Sequence, residues 1–330
     1  MLISATKNAP RTIEELLPPS IAAKLDRLDV FSRRVFAGKL PGERRSKRRG
    51  RSVEFDDFRE YAAGDDLRHV DWNIYARFDR LIIKLFREEE DLALHLVVDA
   101  SPSMFAGEQE GRPGQPEVAS KAVFAHRLAM ALAYVGLVRN NRVSIATVGR
   151  EVVAGRSWRM TPLRGRLSLH RIGDFLLGSL AEGGGKASEL EADVRRAAAG
   201  MSGRGLVVLL SDLLVPGAGA KGLAAIAAGE HASLDAYCLQ ILSPAELDPA
   251  RAAKLGLSGD LRLTDIETGR GVELTISTPA LARYRERLEE FLRESRSACR
   301  TRGVAHFLVP TDTPIDRLVV DSLRRGGMMR

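Results

Sequence analysis

Between Leu92 and Val98 the chain reads LALHLVV, with only His95 interrupting the apolar run. A run of this kind predicts a strand buried on both faces of a parallel sheet. Gly205–Leu210 (GLVVLL) has the same character. Arg142–Val148 (RVSIATV), 233–242 (SLDAYCLQIL) and Val304–Val309 (VAHFLV) are also predicted strands. Helical periodicity marks Glu117–Val138, Leu167–Leu180, Leu190–Ala199, Leu223–Ala228 and Leu281–Arg302. From residue 92 onward strands therefore alternate with helices. That order predicts an α/β fold: a doubly wound, mostly parallel sheet flanked by helices. Leu261–Ile276 alternates apolar and polar positions around Glu267-Thr268-Gly269 and reads as a hairpin inserted near 260–277.

Ahead of residue 92 the pattern changes. Ile21, Leu25, Leu28, Val35 and Phe36 fall at helical spacing and predict a helix over 20–37, with Ser20 as N-cap and Gly38 as its stop. Gly64-Asp65-Asp66 reads as a turn and Arg80–Arg87 as a strand. This divides the chain into an N-terminal module, 1–90, with a helical and basic extension, and an α/β domain, 91–325.

Composition refines that picture. The chain has 330 residues, 45% apolar and 28% charged, enough to bury a core. No run of 18 apolar residues occurs, and Met1–Ser20 has no apolar core like that of a signal peptide. The expectation is a cytoplasmic protein without a transmembrane segment. Cys238 and Cys299 lie far apart in apolar-periodic segments, and two buried thiols are expected rather than a disulfide. Arg33–Ser52 holds nine basic residues and one acid, a local +8 against +7 for the whole chain, so the remainder sums to about −1. Residues 33–52 thus offer a contact for nucleic acid or an anionic surface, or a solvated loop with no partner.

The candidate chemistry sits just past the two most buried strands. Asp99-Ala100-Ser101-Pro102-Ser103 follows the first and Ser211-Asp212 the second. Ligands of open α/β sheets bind outside the carboxyl ends of strands. Alternate residues of Asp-x-Ser-x-Ser can share one centre, and hydroxyls with carboxylates suit a hard cation such as Mg²⁺. A competing reading makes Asp99 and Ser101 turn caps and Asp212 an N-cap. The segment Val97–Met104 (VVDASPSM) resembles the metal-ion-dependent adhesion site of von Willebrand factor A domains. The resemblance implies a von Willebrand factor A-like fold and Mg²⁺ (or Mn²⁺ or Ca²⁺) held by Asp99, Ser101, Ser103 and Asp212. Ser188, in Ala187-Ser188-Glu189-Leu190, stands where that family has a threonine and joins the implied set. Such a metal favours an acidic residue from a partner protein.

A second block runs from Arg49-Gly50-Arg51-Ser52-Val53-Glu54-Phe55 through Arg59-Glu60-Tyr61, Gly64-Asp65-Asp66, Arg68 and Val70-Asp71-Trp72 to Ala76-Arg77. It is similar to the bacterial family called domain of unknown function 58, as is Leu263–Gly269 before the long helix. This resemblance covers about residues 20–325 and implies an adaptor working with a MoxR-type AAA+ ATPase in assembly or activation of protein complexes. The block's acids and arginines read as ion pairs that pin the N-terminal module. Glu54, Asp65, Asp66 and Asp71 also admit a metal-dependent hydrolase or nuclease, with the basic segment gripping phosphates. No Gly-x-Ser-x-Gly elbow and no phosphate loop occurs: Gly183-Gly184-Gly185-Lys186 does not directly follow a buried strand. The expected function is therefore non-enzymatic, with no catalytic residue.

Overall fold

The computed structural model describes residues 9–32, 55–62, 65, 67–86, 92–106, 119–149, 158–184, 190–214, 234–248, 260–264, 271–275 and 277–330. The described strands are β1 (Phe55–Glu60), β2 (Ile82–Phe86), β3 (Leu92–Asp99), β4 (Arg142–Val148), β5 (Arg204–Ser211), β6 (Leu234–Leu242), β7 (Asp260–Thr264), β8 (Gly271–Thr275) and β9 (Ala305–Pro310). The helices used below are α1 (Ile13–Leu16), α2 (Pro19–Leu25), α3 (Trp72–Phe78), α4 (Lys121–Val138), α5 (Leu169–Ala181), α6 (Leu190–Ala198), α7 (Pro244–Leu247) and α8 (Thr278–Arg300). They fall into two units. One comprises the described residues among 1–38 and 92–330, the other those among 39–91.

In the larger unit five parallel strands form one sheet in the order β4-β3-β5-β6-β9. The apolar runs of β3 and β5 occupy its interior, as their lack of alternation predicts. Even-numbered side chains Leu94, Leu96, Val98, Leu206, Val208 and Leu210 enter the core shared with α4 and α5. Odd-numbered Val97, Val207 and Leu209 enter a second core with Val194 and Ala198 of α6 and Cys299 of α8. Helices thus cover both faces, in the arrangement expected of a von Willebrand factor A-like doubly wound fold. His95 is accommodated by its tautomer: Nε2 donates to the Ser202 carbonyl at 3.1 Å, and Nδ1 accepts from Ser144 Oγ at 2.6 Å. Cys238 and Cys299 are both free and buried.

The crossover helix α4 is buried almost throughout. Its length and apolar content would allow a membrane span, but here it lies inside the protein. The outer edge of β4 is partly covered by antiparallel bridges from Arg159 and Leu163, which blunt an otherwise open strand. The hairpin expected near 260–277 is present as the antiparallel pair β7–β8, while its turn at Glu267–Gly269 lies outside the described residues. The helix expected at Leu223–Ala228 also lies outside them.

The helix expected over 20–37 is shorter than its pattern suggested. It begins at Pro19, with Pro18 rather than Ser20 as its cap, and ends at Leu25. Burial then switches to a two-residue period at Leu28, Val30 and Ser32. The reason is tertiary: Phe31 N donates to Met328 O at 2.9 Å and Arg330 N to Asp29 O at 3.0 Å, so the C-terminal tail supplies strand-like partners that a local helix would forgo. Residues 33–37 lie outside the described set.

In the smaller unit β1 and β2 pair antiparallel. Asp71 caps α3, its Oδ1 accepting from Asn73 N at 2.9 Å and Ile74 N at 3.2 Å. Arg59 donates to Asp65 at 2.6 Å, and Asp65 also accepts from Ala62 N at 2.9 Å. The amide of Ala62 and then the Arg59 guanidinium hold the Asp65 carboxyl below the usual carboxylate range. These two acids of the expected hydrolytic block therefore serve local structure. Glu54 and Asp66 lie outside the described residues, as does the whole basic segment 33–52.

Candidate functional site

The strand order has a reversal. The chain passes from β3 to β4 on one side, then returns to β5 on the other side of β3. Loops leaving the carboxyl ends of β3 and β5 consequently diverge, and such a switch point is where open α/β sheets bind ligands. Asp99 ends β3, Ser211 ends β5, and Asp212 follows directly.

Register places these groups. Val98 pairs with Leu210, so Asp99 and Ser211 stand side by side with the same parity. Ser211 Oγ donates to Asp99 Oδ2 at 2.5 Å, and the Ser101 amide donates to Asp99 Oδ1 at 2.8 Å. Ser101 Oγ lies 3.1 Å from Ser103 Oγ, one hydroxyl donating to the other. The Pro102–Phe105 turn that carries Ser103 is a short 3₁₀ segment, buried along with Asp99 and Ser101. Asp99, Ser101 and Ser103 are thus brought together by one loop.

Asp212 has the opposite parity and meets α4 instead. Lys121, the first residue of that helix, donates to Asp212 Oδ2 at 2.8 Å and also to Glu246 Oε1. The side chains of both Lys121 and Asp212 are completely inaccessible. Leu214 N donates to Asp212 Oδ1 at 3.0 Å, and Gln240 Nε2 donates to the Asp212 carbonyl at 3.3 Å. Gln240 in turn accepts from His306 Nε2 at 2.9 Å. Burial, and then the nearby Arg296, push the His306 imidazole down to about 4.

Gly149, just past β4, lets the Asp99 loop close. Its φ is +78°, and a Cβ there would stand 2.7 Å from Ser101 N and 3.1 Å from Asp99 Oδ1. Its amide donates to Asp193 Oδ2 at 2.9 Å. Ser188 lies outside the described residues. Gly184, the last described residue before it, packs closely against Pro102 and Phe105.

The electrostatics are uneven. Burial, and then the charge of Asp212, push the Asp99 carboxyl up to about 7, against the bonds from Ser211 and Ser101. Among the described residues no Lys, Arg or His pairs with Asp99. For Lys121, burial works to lower its pKa, but Asp212 and Glu246 outweigh it and the net shift is upward. The donor set fits a divalent ion in chemical type: hydroxyl and carboxylate oxygens, with one carboxylate lacking a counter-charge. Asp99, Ser101 and Ser103 would hold such an ion, while Asp212, the second carboxylate of this edge, is turned to Lys121. No three His, Cys, Asp or Glu side chains converge among the described residues, so serines must supply part of any coordination.

Residues 57–298 match the family model described as protein of unknown function DUF58. The chain belongs to this family. The chain is also similar to uncharacterized proteins of Mycobacterium bovis and of Mycobacterium tuberculosis strain H37Rv. Each is 28% identical over 264 residues, covering 80% of this chain and 76% of the relative. The DUF58 match begins inside β1 and ends inside α8, so it spans both the block around Asp71 and the Asp99 edge.

Lys121, Gly149 and Glu246 were absent from the site residues expected from sequence, and Ser211 was noted beside Asp212 without a role. Lys121 did leave a signal: a cation in the first turn of a largely apolar helix is opposed by the helix dipole and calls for carboxylates nearby. Gly149 left little, because a glycine after a strand is ordinary until its neighbour across the sheet is known.

Proposed function

We propose that this DUF58 protein is a cytoplasmic, metal-assisted protein-binding module. A Mg²⁺ ion (or Mn²⁺ or Ca²⁺) is held by Asp99, Ser101, Ser103 and Asp212, with Ser188 as a further hydroxyl. The open side of the ion accepts an acidic residue of a partner protein. The observation that carries this reading is Asp99: a fully buried carboxylate at the sheet's switch point, bonded to an amide and a hydroxyl but to no described cation. A divalent ion would provide the missing charge. Two free, buried thiols suit a reducing compartment. The MoxR-type AAA+ ATPase is the partner implied by the family resemblance, and the module's role is as its adaptor in assembling or activating other complexes.

Calorimetric titration of Mg²⁺ and Mn²⁺ into wild type and Asp99→Ala tests the metal. Binding by wild type that the variant loses is expected; absent binding, or equal binding by both, refutes it. Capture of the ATPase from native cell extract that is lost on adding EDTA is expected for the partner. Capture indifferent to EDTA refutes metal-assisted docking.

A further inference from the structure

The carboxylates at this edge differ in how they are neutralised. Asp99 accepts from Ser211 Oγ and the Ser101 amide, and no described cation pairs with it. Asp212 has a cation of its own in Lys121. That cation is held from two sides. Glu246, which takes the other share of the ammonium, is fixed by the capping box of α7: its Oε2 accepts from Ser243 N at 2.7 Å and Ser243 Oγ at 2.9 Å. Tyr284 of α8 donates to the Glu246 carbonyl at 2.8 Å. The Lys121 ammonium is thus anchored by carboxylates that follow β5 and β6.

We infer that Lys121 is a tethered cation that occupies the second carboxylate of the strand edge, so that a divalent ion entering beside Asp99 must compete with it for Asp212. This deepens the metal reading proposed above and rests on it. Two positive centres drawn to one carboxylate in a buried site repel each other strongly. The lysine keeps the edge folded without an ion, and it weakens the ion's hold. Occupancy therefore depends on the carboxylate that a partner brings, which makes metal and partner bind together rather than in turn.

The test uses the full chain and Mn²⁺ alone, with free Mn²⁺ followed by electron paramagnetic resonance. Wild type is compared with Lys121→Met, which keeps the apolar stem, and Lys121→Gln, which keeps an N–H donor for Asp212 and Glu246. Both variants are expected to bind Mn²⁺ at least about tenfold more tightly than wild type. Their melting temperatures should also rise more on adding Mn²⁺. A lysine with a purely structural role would lower stability in the variants and leave affinity unchanged or weaker, which overturns the inference. Should Lys121→Met fail to fold, Lys121→Gln decides by the same criterion. Wild-type binding that Asp99→Ala abolishes but neither Lys121 variant improves overturns this inference and leaves the metal reading standing. No binding by any of the proteins overturns both.

Discussion

Replacing Gly149 by alanine perturbs the candidate site without altering any of its polar side chains. The new Cβ would stand 2.7 Å from Ser101 N, a distance that carbon atoms do not tolerate, at a backbone φ of +78°. The left-handed conformation alone costs an alanine about 1–2 kcal/mol. Relieving the clash moves Ser101 away from Asp99 and weakens a hydrogen bond to a buried acid, which contributes about 1.5–3 kcal/mol. Together these amount to about 3 kcal/mol, or a melting temperature lower by roughly 6–12 °C for a unit of this size. Gly303→Ala is the matched control. Its φ is +68° and nothing lies within 4 Å of its added Cβ, so it carries the conformational cost alone. Thermal unfolding followed by circular dichroism compares the two. Gly149→Ala should unfold clearly below Gly303→Ala and should also lose Mn²⁺ binding. Equal melting temperatures would show that the Asp99 loop does not close against β4 in this way.

Asp99 gives a pH prediction. Its carboxyl is raised from 3.8 to about 7 on folding, so the folded state holds a proton that the unfolded chain has released. In EDTA, stability should therefore fall as pH rises from about 4 to about 7, and Asp99→Asn should flatten that slope in urea midpoints; an unchanged slope refutes it. His306 has the opposite sign, its pKa being lowered from 6.5 to about 4. Its contribution is present above pH 6.5 and is lost as pH falls through 4, and its ring signals in NMR should titrate near 4; a midpoint at or above 6.5 refutes this. Asp71→Ala removes the two bonds that cap α3 and costs about 1 kcal/mol locally. Amide exchange at Asn73 and Ile74 should then quicken about fivefold, and unchanged exchange would deny the cap its role.

Hydrophobic pattern fixed most of the fold by itself. The unbroken runs of β3 and β5 carried their own statement of burial on both faces. Strand–helix alternation required parallel pairing, and the predicted bounds of β3, β4 and β5 agree with the observed ones within about a residue. Pattern also led to Asp99, Ser101, Ser103 and Asp212, because position after a buried strand is a local property. The helix over 20–37 was misjudged for the converse reason. Leu28 and Val30 fit a helical and an extended period equally well, and the choice was made by Met328 and Arg330, some 300 residues away.

The charge state of the site was decided only in three dimensions. Sequence could not tell that Asp99 and Ser211 share a face, since that depends on the register of two strands 112 residues apart. Nor could it tell that Lys121 sits on Asp212 while Asp99 has no described cation. Local propensity and hydrophobic period act over a few residues and are written into the chain. Electrostatic pairing depends on distances between groups that only the closed sheet brings together, and it is this pairing that makes the edge of β3 and β5 a candidate site rather than a pair of turns.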